Sequence, residues 1–259
     1  MNYNNFVLFT IVATFALLSL IYKSAFKNGK PHCNNFVVNV YLYLALALSI
    51  VGCFIHLYNY ILNQPSQVVK YISREETYRQ ISKYMIISII ITFLSIIYLS
   101  FRPLFSKNGY ILNHFIWVVF LSSISLTLYP YFKAKEYSIQ LQKVLLMVIL
   151  IFLFMSGLVF IIPNFFKTTY TIATSGLLIG LLSIIIIELF LYITGQYTKS
   201  IYNIISYIVI LLFSLFISYD TYSLFMFAKI CINSPNYPLF STNLFLDIIN
   251  LFVRLLKQE

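Results

Sequence analysis

Three of the seven acidic residues in this chain sit where an ionised carboxylate is costly. Asp220 lies in "FSLFISYDTYSLF", Asp247 in "NLFLDIINLFVRLL", and Glu188 in "SIIIIELFLYI". A charge near the centre of a bilayer costs about 2.5–3.5 kcal/mol on insertion scales, so such residues usually face an interior and mark a pathway. The plainer alternative is a protonated carboxyl bonded to a neighbouring helix for packing; two acids on the last two apolar segments favour function. Asn243, Asp247, Asn250 and Arg254 recur at helical spacing and share one face. Asp220 stands between Tyr219 and Thr221, with Ser214 and Ser218 shortly before it. The link "AKICINSPNY" is short, which predicts antiparallel neighbours whose acids can approach. If they meet, both cannot easily ionise, and the pair titrates as a unit. A shared proton would then tie two helices together, and its loss or gain would reseat them. Calcium prefers about six to eight oxygens. Asp220 and Asp247 with Asn243 or Asn250 offer too few for a tight metal site but enough for transient passage.

The remaining titratable residues carry less. Glu75, Glu76, Glu136 and Glu259 fall in loops or at the terminus and are expected to be solvated. His56 and His114 could relay protons, but a lone histidine in a span is more often packed and hydrogen-bonded. Cys33, Cys53 and Cys231 show no metal-ligand spacing, and their odd number argues against a bridged framework, so they read as apolar filler.

The elements that hold the acids must be membrane helices. The chain is 61% hydrophobic and 9% charged, with a mean hydropathy of +0.89; a soluble domain carries about 25% charge. Such a chain could not cover its own surface in water. Eight apolar segments follow one another, near 5–22, 36–61, 84–101, 110–130, 144–163, 170–192, 202–227 and 238–256. They are continuous rather than alternating, and each is long enough to cross about 30 Å of hydrocarbon as a helix. Linkers are short, so this is one all-α polytopic bundle. The net charge of +10 is scattered through connecting segments, with no basic run to bind nucleic acid. The first segment could be a signal peptide. However, its positive charges, Lys23, Lys27 and Lys30, follow the apolar run, which favours an uncleaved anchor with residues 23–34 in the cytosol. Farther along, alternate loops carry seven basic residues and the opposite set ten, which does not orient the bundle. Gly176 and Gly180 form a GxxxG pair, either a close helix contact or chance. Trp117 suits interfacial anchoring.

The two aspartate segments resemble the last two helices of the transmembrane Bax-inhibitor motif family, especially its lifeguard and Golgi anti-apoptotic branches. "NVYLYLALALS" (39–49) is similar to the start of that family's first helix and "NGYILNHFIWVVFLSSISLTLYP" (108–130) to its third. The resemblance covers about residues 33–257. It implies a seven-helix core over residues 33–259 with a central last helix, preceded by an added anchor helix and basic linker at 1–32. It further implies a pH-sensitive Ca²⁺ leak that inhibits apoptosis from endoplasmic reticulum, Golgi or plasma membrane, with apoptosis-regulating membrane proteins as partners and no cofactor or enzymatic activity. By motif position, Asp220 and Asp247 match the family's di-aspartyl pH sensor. Arg102 is the nearest candidate for a charge partner. Glu188 has no counterpart and reads as a structural or pore residue particular to this chain.

Three other readings stand beside this one. An intramembrane aspartyl protease also needs two aspartates on adjacent helices, and Tyr219–Asp220 matches half of its signature. Leu-Phe-Leu before Asp247 replaces the required Gly-x-Gly, and no Pro-Ala-Leu follows. A non-conducting anti-apoptotic scaffold is compatible with every residue. A receptor or transporter has no visible pocket signature or inverted repeat.

Overall fold

The structure is a computed structural model that describes residues 3–63, 74–105, 110–134, 139–232 and 234–258. Among these, the chain forms eight helices and one short hairpin: α1 (Tyr3–Ala25), β1 (Phe26–Lys27), β2 (Lys30–Pro31), α2 (Phe36–Asn63), α3 (Arg74–Ser100), α4 (Tyr110–Ala134), α5 (Ile139–Ile161), α6 (Pro163–Ile193), α7 (Lys199–Ile230) and α8 (Tyr237–Gln258). Seven are long and apolar enough to cross a membrane; α3 contributes a shorter apolar stretch, Tyr84–Ser100. Large apolar side chains such as Phe15, Ile172, Ile186 and Phe154 stand exposed along them, as expected where lipid is the solvent. The protein is thus an all-α, multi-pass integral membrane protein. Glu136 and Glu259 lie outside the described residues, as do the side chains of Glu75 and Glu76.

The chain divides into two compact units. The first comprises Met1–Glu136 and Cys231–Thr242, the second Tyr137–Ile230 and Asn243–Glu259. Helices in lipid gain nothing from burying leucine against leucine; close backbone approach and hydroxyl hydrogen bonds between helices hold them instead. The first unit follows this rule. On α1, Thr14 Oγ1 meets Ser49 Oγ of α2 at 2.6 Å, and Ser49 Oγ also donates to the Thr10 carbonyl at 3.1 Å. A Cβ at Gly52 would come within 3.3 Å of Thr10 Cγ2, so the missing side chain permits the contact. Ser88 of α3 donates to the Ser123 carbonyl of α4, and Thr92 Oγ1 meets Ser123 Oγ at 2.8 Å. Tyr58 of α2 reaches Ser122 Oγ at 2.7 Å.

Between α1 and α2, "FKNGKP" makes the β1–β2 hairpin, with Phe26 opposite Pro31 and Lys27 opposite Lys30. Asn28 and Gly29 have φ of 51° and 73°, the conformation that a two-residue hairpin turn requires and that Asn-Gly adopts readily. Behind it lies a buried polar hub. Tyr237, the first residue of α8 and fully buried, donates its hydroxyl to the His32 carbonyl at 2.6 Å. Asn39 Nδ2 donates to Tyr237 Oη at 3.2 Å, and Ser24 Oγ donates to Asn39 Oδ1 at 2.7 Å. Tyr237 also stacks on Tyr43 at 5.2 Å.

Two sequence expectations are corrected here. Cys33 and Cys231 are joined by a disulfide across 198 residues of sequence, and only Cys53 is free. Spacing along the chain cannot reveal a pair that folding alone brings together. Trp117 is not an interfacial anchor: it is 2% exposed and packs on Tyr43 at 5.6 Å. His114 is satisfied as a packed residue, with Nε2 2.7 Å from Tyr43 Oη and Nδ1 2.6 Å from the Tyr110 carbonyl.

Candidate functional site

In the second unit, α7 packs closest against α5 and α6. Short side chains make this approach possible. Ser218 Oγ donates to the Met155 carbonyl of α5 at 2.9 Å, and Thr221 Oγ1 lies 3.2 Å from Ser156 Oγ. On the side of α6, Tyr219 Oη meets Thr169 Oγ1 at 2.9 Å, and the Tyr219 ring packs edge-on against Phe166 at 5.3 Å. A Cβ at Gly180 would sit 3.4 Å from Leu212 Cδ1, an ordinary contact, whereas Gly176 faces open space. Half of the GxxxG pair therefore makes a helix contact. The close packing of α7 thus runs through its own hydroxyls to α5 and to α6, the helix that carries Gly180.

Asp220 is flanked by these anchored residues, one step along the helix from Tyr219 and Thr221. Its own backbone carbonyl accepts a hydrogen bond from Ser223 Oγ at 2.7 Å. The side chain is half-buried, and Tyr170 of α6 lies within its electrostatic reach. Asp247, on α8, is 6% exposed, and its Oδ2 is buried without a hydrogen-bond partner among the described residues. The two aspartates are near enough to feel each other's charge. Neither is ion-paired among the described residues. A buried polar atom left unbonded typically costs about 1–3 kcal/mol. Asp247 carries a cost of this kind.

The other polar residues of α8 behave differently from one another. Asn243 and Asn250 are exposed, and Asn250 Nδ2 donates to the Leu246 carbonyl of its own helix at 2.9 Å. Arg254 makes a two-pronged ion pair with Glu188 of α6, Nη1 to Oε1 at 2.6 Å and Nη2 to Oε2 at 2.7 Å. Tyr197, in the α6–α7 turn, donates to Glu188 Oε1 at 3.1 Å. Burial first, and then the Glu188 carboxylate beside it, hold the Tyr197 phenol above its ordinary value. It therefore remains a hydrogen-bond donor throughout the physiological range. Glu188 thus belongs to a closed ionic clasp, separate in its bonding from the aspartate pair.

Sequence reading placed Glu188 and Arg254 in apolar segments without joining them. A signal was available. Both lie within the last two turns of their helices, and helices separated by one antiparallel helix end on the same side. Arg102 belongs to the first unit. It is exposed, with its guanidinium 4.6 Å above the Tyr98 ring and hydrogen-bonded to the Tyr98 hydroxyl. Among the described residues, no three His, Cys, Asp or Glu side chains gather to hold a metal ion.

No curated protein matches this chain. A family does: residues 33–258 match the one described as Inhibitor of apoptosis-promoting Bax1. The match starts just after the β1–β2 hairpin and runs to the end of α8, taking in both aspartate helices and the Glu188–Arg254 clasp. By that match, this membrane chain belongs to the Bax-inhibitor family.

Proposed function

We propose that this multi-pass member of an apoptosis-inhibiting family is a pH-sensitive Ca²⁺ leak. In this reading it lowers stored Ca²⁺ in the endoplasmic reticulum or Golgi and so restrains cell death, without catalysing a reaction. The observation that carries the proposal is Asp247: buried, with one carboxyl oxygen unbonded, and within electrostatic reach of Asp220. Two carboxyls in one water-poor site share protons, because a second negative charge is opposed by the first. With the proton shared, α7 and α8 attract. Without it they repel, and the interior they line becomes open to a cation that the carboxylates briefly coordinate. Two carboxylates cannot supply the larger oxygen shell that tight calcium binding needs. This favours passage over storage.

The test is Ca²⁺ entry into dye-loaded proteoliposomes across a pH series. The expected result is a flux that changes with pH in the native chain and becomes flat with Asp247→Asn, with Asp220→Asn showing the same loss. A native flux indistinguishable from empty vesicles would remove conduction and leave the non-conducting scaffold. Cleavage of a transmembrane reporter, abolished by either substitution, would replace the leak with the protease reading.

A further inference from the structure

From the Cys33–Cys231 disulfide we infer the orientation of the chain in its membrane: the face bearing the β1–β2 hairpin and the α7–α8 linker opens to an oxidising, non-cytosolic compartment. Cytosolic thiols are kept reduced, whereas disulfides form and persist in the secretory pathway and outside the cell. The bond joins Cys33, between the hairpin and α2, to Cys231, directly after α7. Both segments must therefore lie on one side of the bilayer, and that side must be oxidising.

Independent contacts hold the same segments together. Tyr237, six residues beyond Cys231, is bonded to the His32 carbonyl and to Asn39. The segment after α3 joins the same face: the Asn236 amide donates to the Leu104 carbonyl at 2.9 Å, and Phe105 pairs with Pro235. Residues 33 and 105 thus share a side. Since α2 crosses away from that side, α3 must return to it. Its apolar part, Tyr84–Ser100, at about 1.5 Å per residue is slightly shorter than about 30 Å of hydrocarbon, and so crosses at the lower limit of length.

The orientation follows from alternation. The start of α1 and the end of α8 lie in the cytosol; residues 26–35, 101–105 and 231–236 lie outside it. This reverses the expectation that charge after α1 keeps residues 23–34 cytosolic. The disulfide decides where charge is nearly balanced, and the residual bias agrees with it: of seventeen basic residues, the ten outside the hairpin-side loops fall on the cytosolic side. Bond formation requires a disulfide-bearing oxidant of that compartment. One cysteine thiolate attacks the donor disulfide, giving a mixed disulfide and one donor thiol. The second thiolate then displaces the other donor sulfur. Two protein thiols are oxidised, and one donor disulfide is reduced to two thiols.

The full chain, expressed in a host that attaches N-linked glycans, tests this in two measurements. In the first, the membranes are alkylated before and after reduction and the peptides mapped. The expected product is a Cys33–Cys231 linked peptide that resolves on reduction, with Cys53 alone alkylated beforehand. In the second, a glycosylation-acceptor peptide long enough to clear the bilayer is inserted between Asn28 and Gly29, or appended after Glu259. The expected result is modification of the hairpin insertion only. Recovery of Cys33 and Cys231 as separately alkylated peptides before reduction overturns the inference. So does modification of the C-terminal acceptor, or of neither acceptor. The pair Cys33→Ser with Cys231→Ser is a control for folding. Its hub at Tyr237 remains, so the hairpin insertion should still be modified, and loss of that modification with the fold intact also overturns the inference.

Discussion

Two carboxylates in one unit, Glu188 and Asp247, receive opposite treatment. Glu188 has two guanidinium nitrogens and a phenol directed at it, and its charge is offset where it forms. Asp247 has an unbonded oxygen and a second acid nearby. A structural acid looks like the first; in the function proposed above, the second is the acid that titrates. The difference can be measured at Arg254. Arg254→Met leaves Glu188 charged and partly buried, and should destabilise the chain in detergent by about 1.5–3 kcal/mol, the range for a hydrogen bond to a charged group. Adding Glu188→Gln should recover part of that loss, because the uncompensated charge disappears with it. Arg254→Lys should restore the charge but not the two-pronged geometry, and fall between. Equal midpoints for native and Arg254→Met protein in thermal unfolding would show that the clasp contributes nothing.

At the scale of helices, most of this architecture was legible in the sequence. Each apolar run between 5 and 256 corresponds to a helix, because in lipid the backbone leaves no other choice for a continuous run. Helix partners were less legible. Ser218 and Thr221 read as generic polar residues, yet they fasten α7 to α5. Cys33 and Cys231 lie 198 residues apart, and no local pattern announces such a pair. Trp117 has the amphipathic character of an anchor, but its position on α4 turns it toward Tyr43. The aspartates were found because an acid in an apolar run is conspicuous by itself, whereas the clasp needed two helices to be considered together. The α6–α7 contact offers a test of close approach. Gly180→Leu should force Leu212 aside and cost about 1–3 kcal/mol, as overpacking does. Gly176→Leu, facing open space, should leave the midpoint unchanged. Similar effects at both positions would mean that the small residue at 180 does not set the spacing.

For the molecule as a whole, the segment before residue 33 poses the remaining physical question. The family match begins at residue 33, which favours an appended helix that the core can lose. The bonding argues that the first unit has come to depend on it. Ser49 finds its partners on α1, Asn39 binds Ser24, and Tyr237 donates to His32. Without residues 1–32, Asn39 and Tyr237 lose partners while still buried, at about 1–3 kcal/mol for each unsatisfied group. Ser49 would turn a hydroxyl toward lipid, where its own helix carbonyls can receive it at little cost. A chain starting at residue 33 should therefore still insert, but with a clearly lowered thermal midpoint in detergent. Co-expression of residues 1–32 as a separate peptide should raise that midpoint again. Asp220 and Asp247 both belong to the second unit, so the pH dependence of any Ca²⁺ flux should survive the truncation. An unchanged midpoint would identify α1 as a passive anchor. A flux that loses its pH response would mean that proton sensing draws on the first unit, and that the aspartate pair does not act alone.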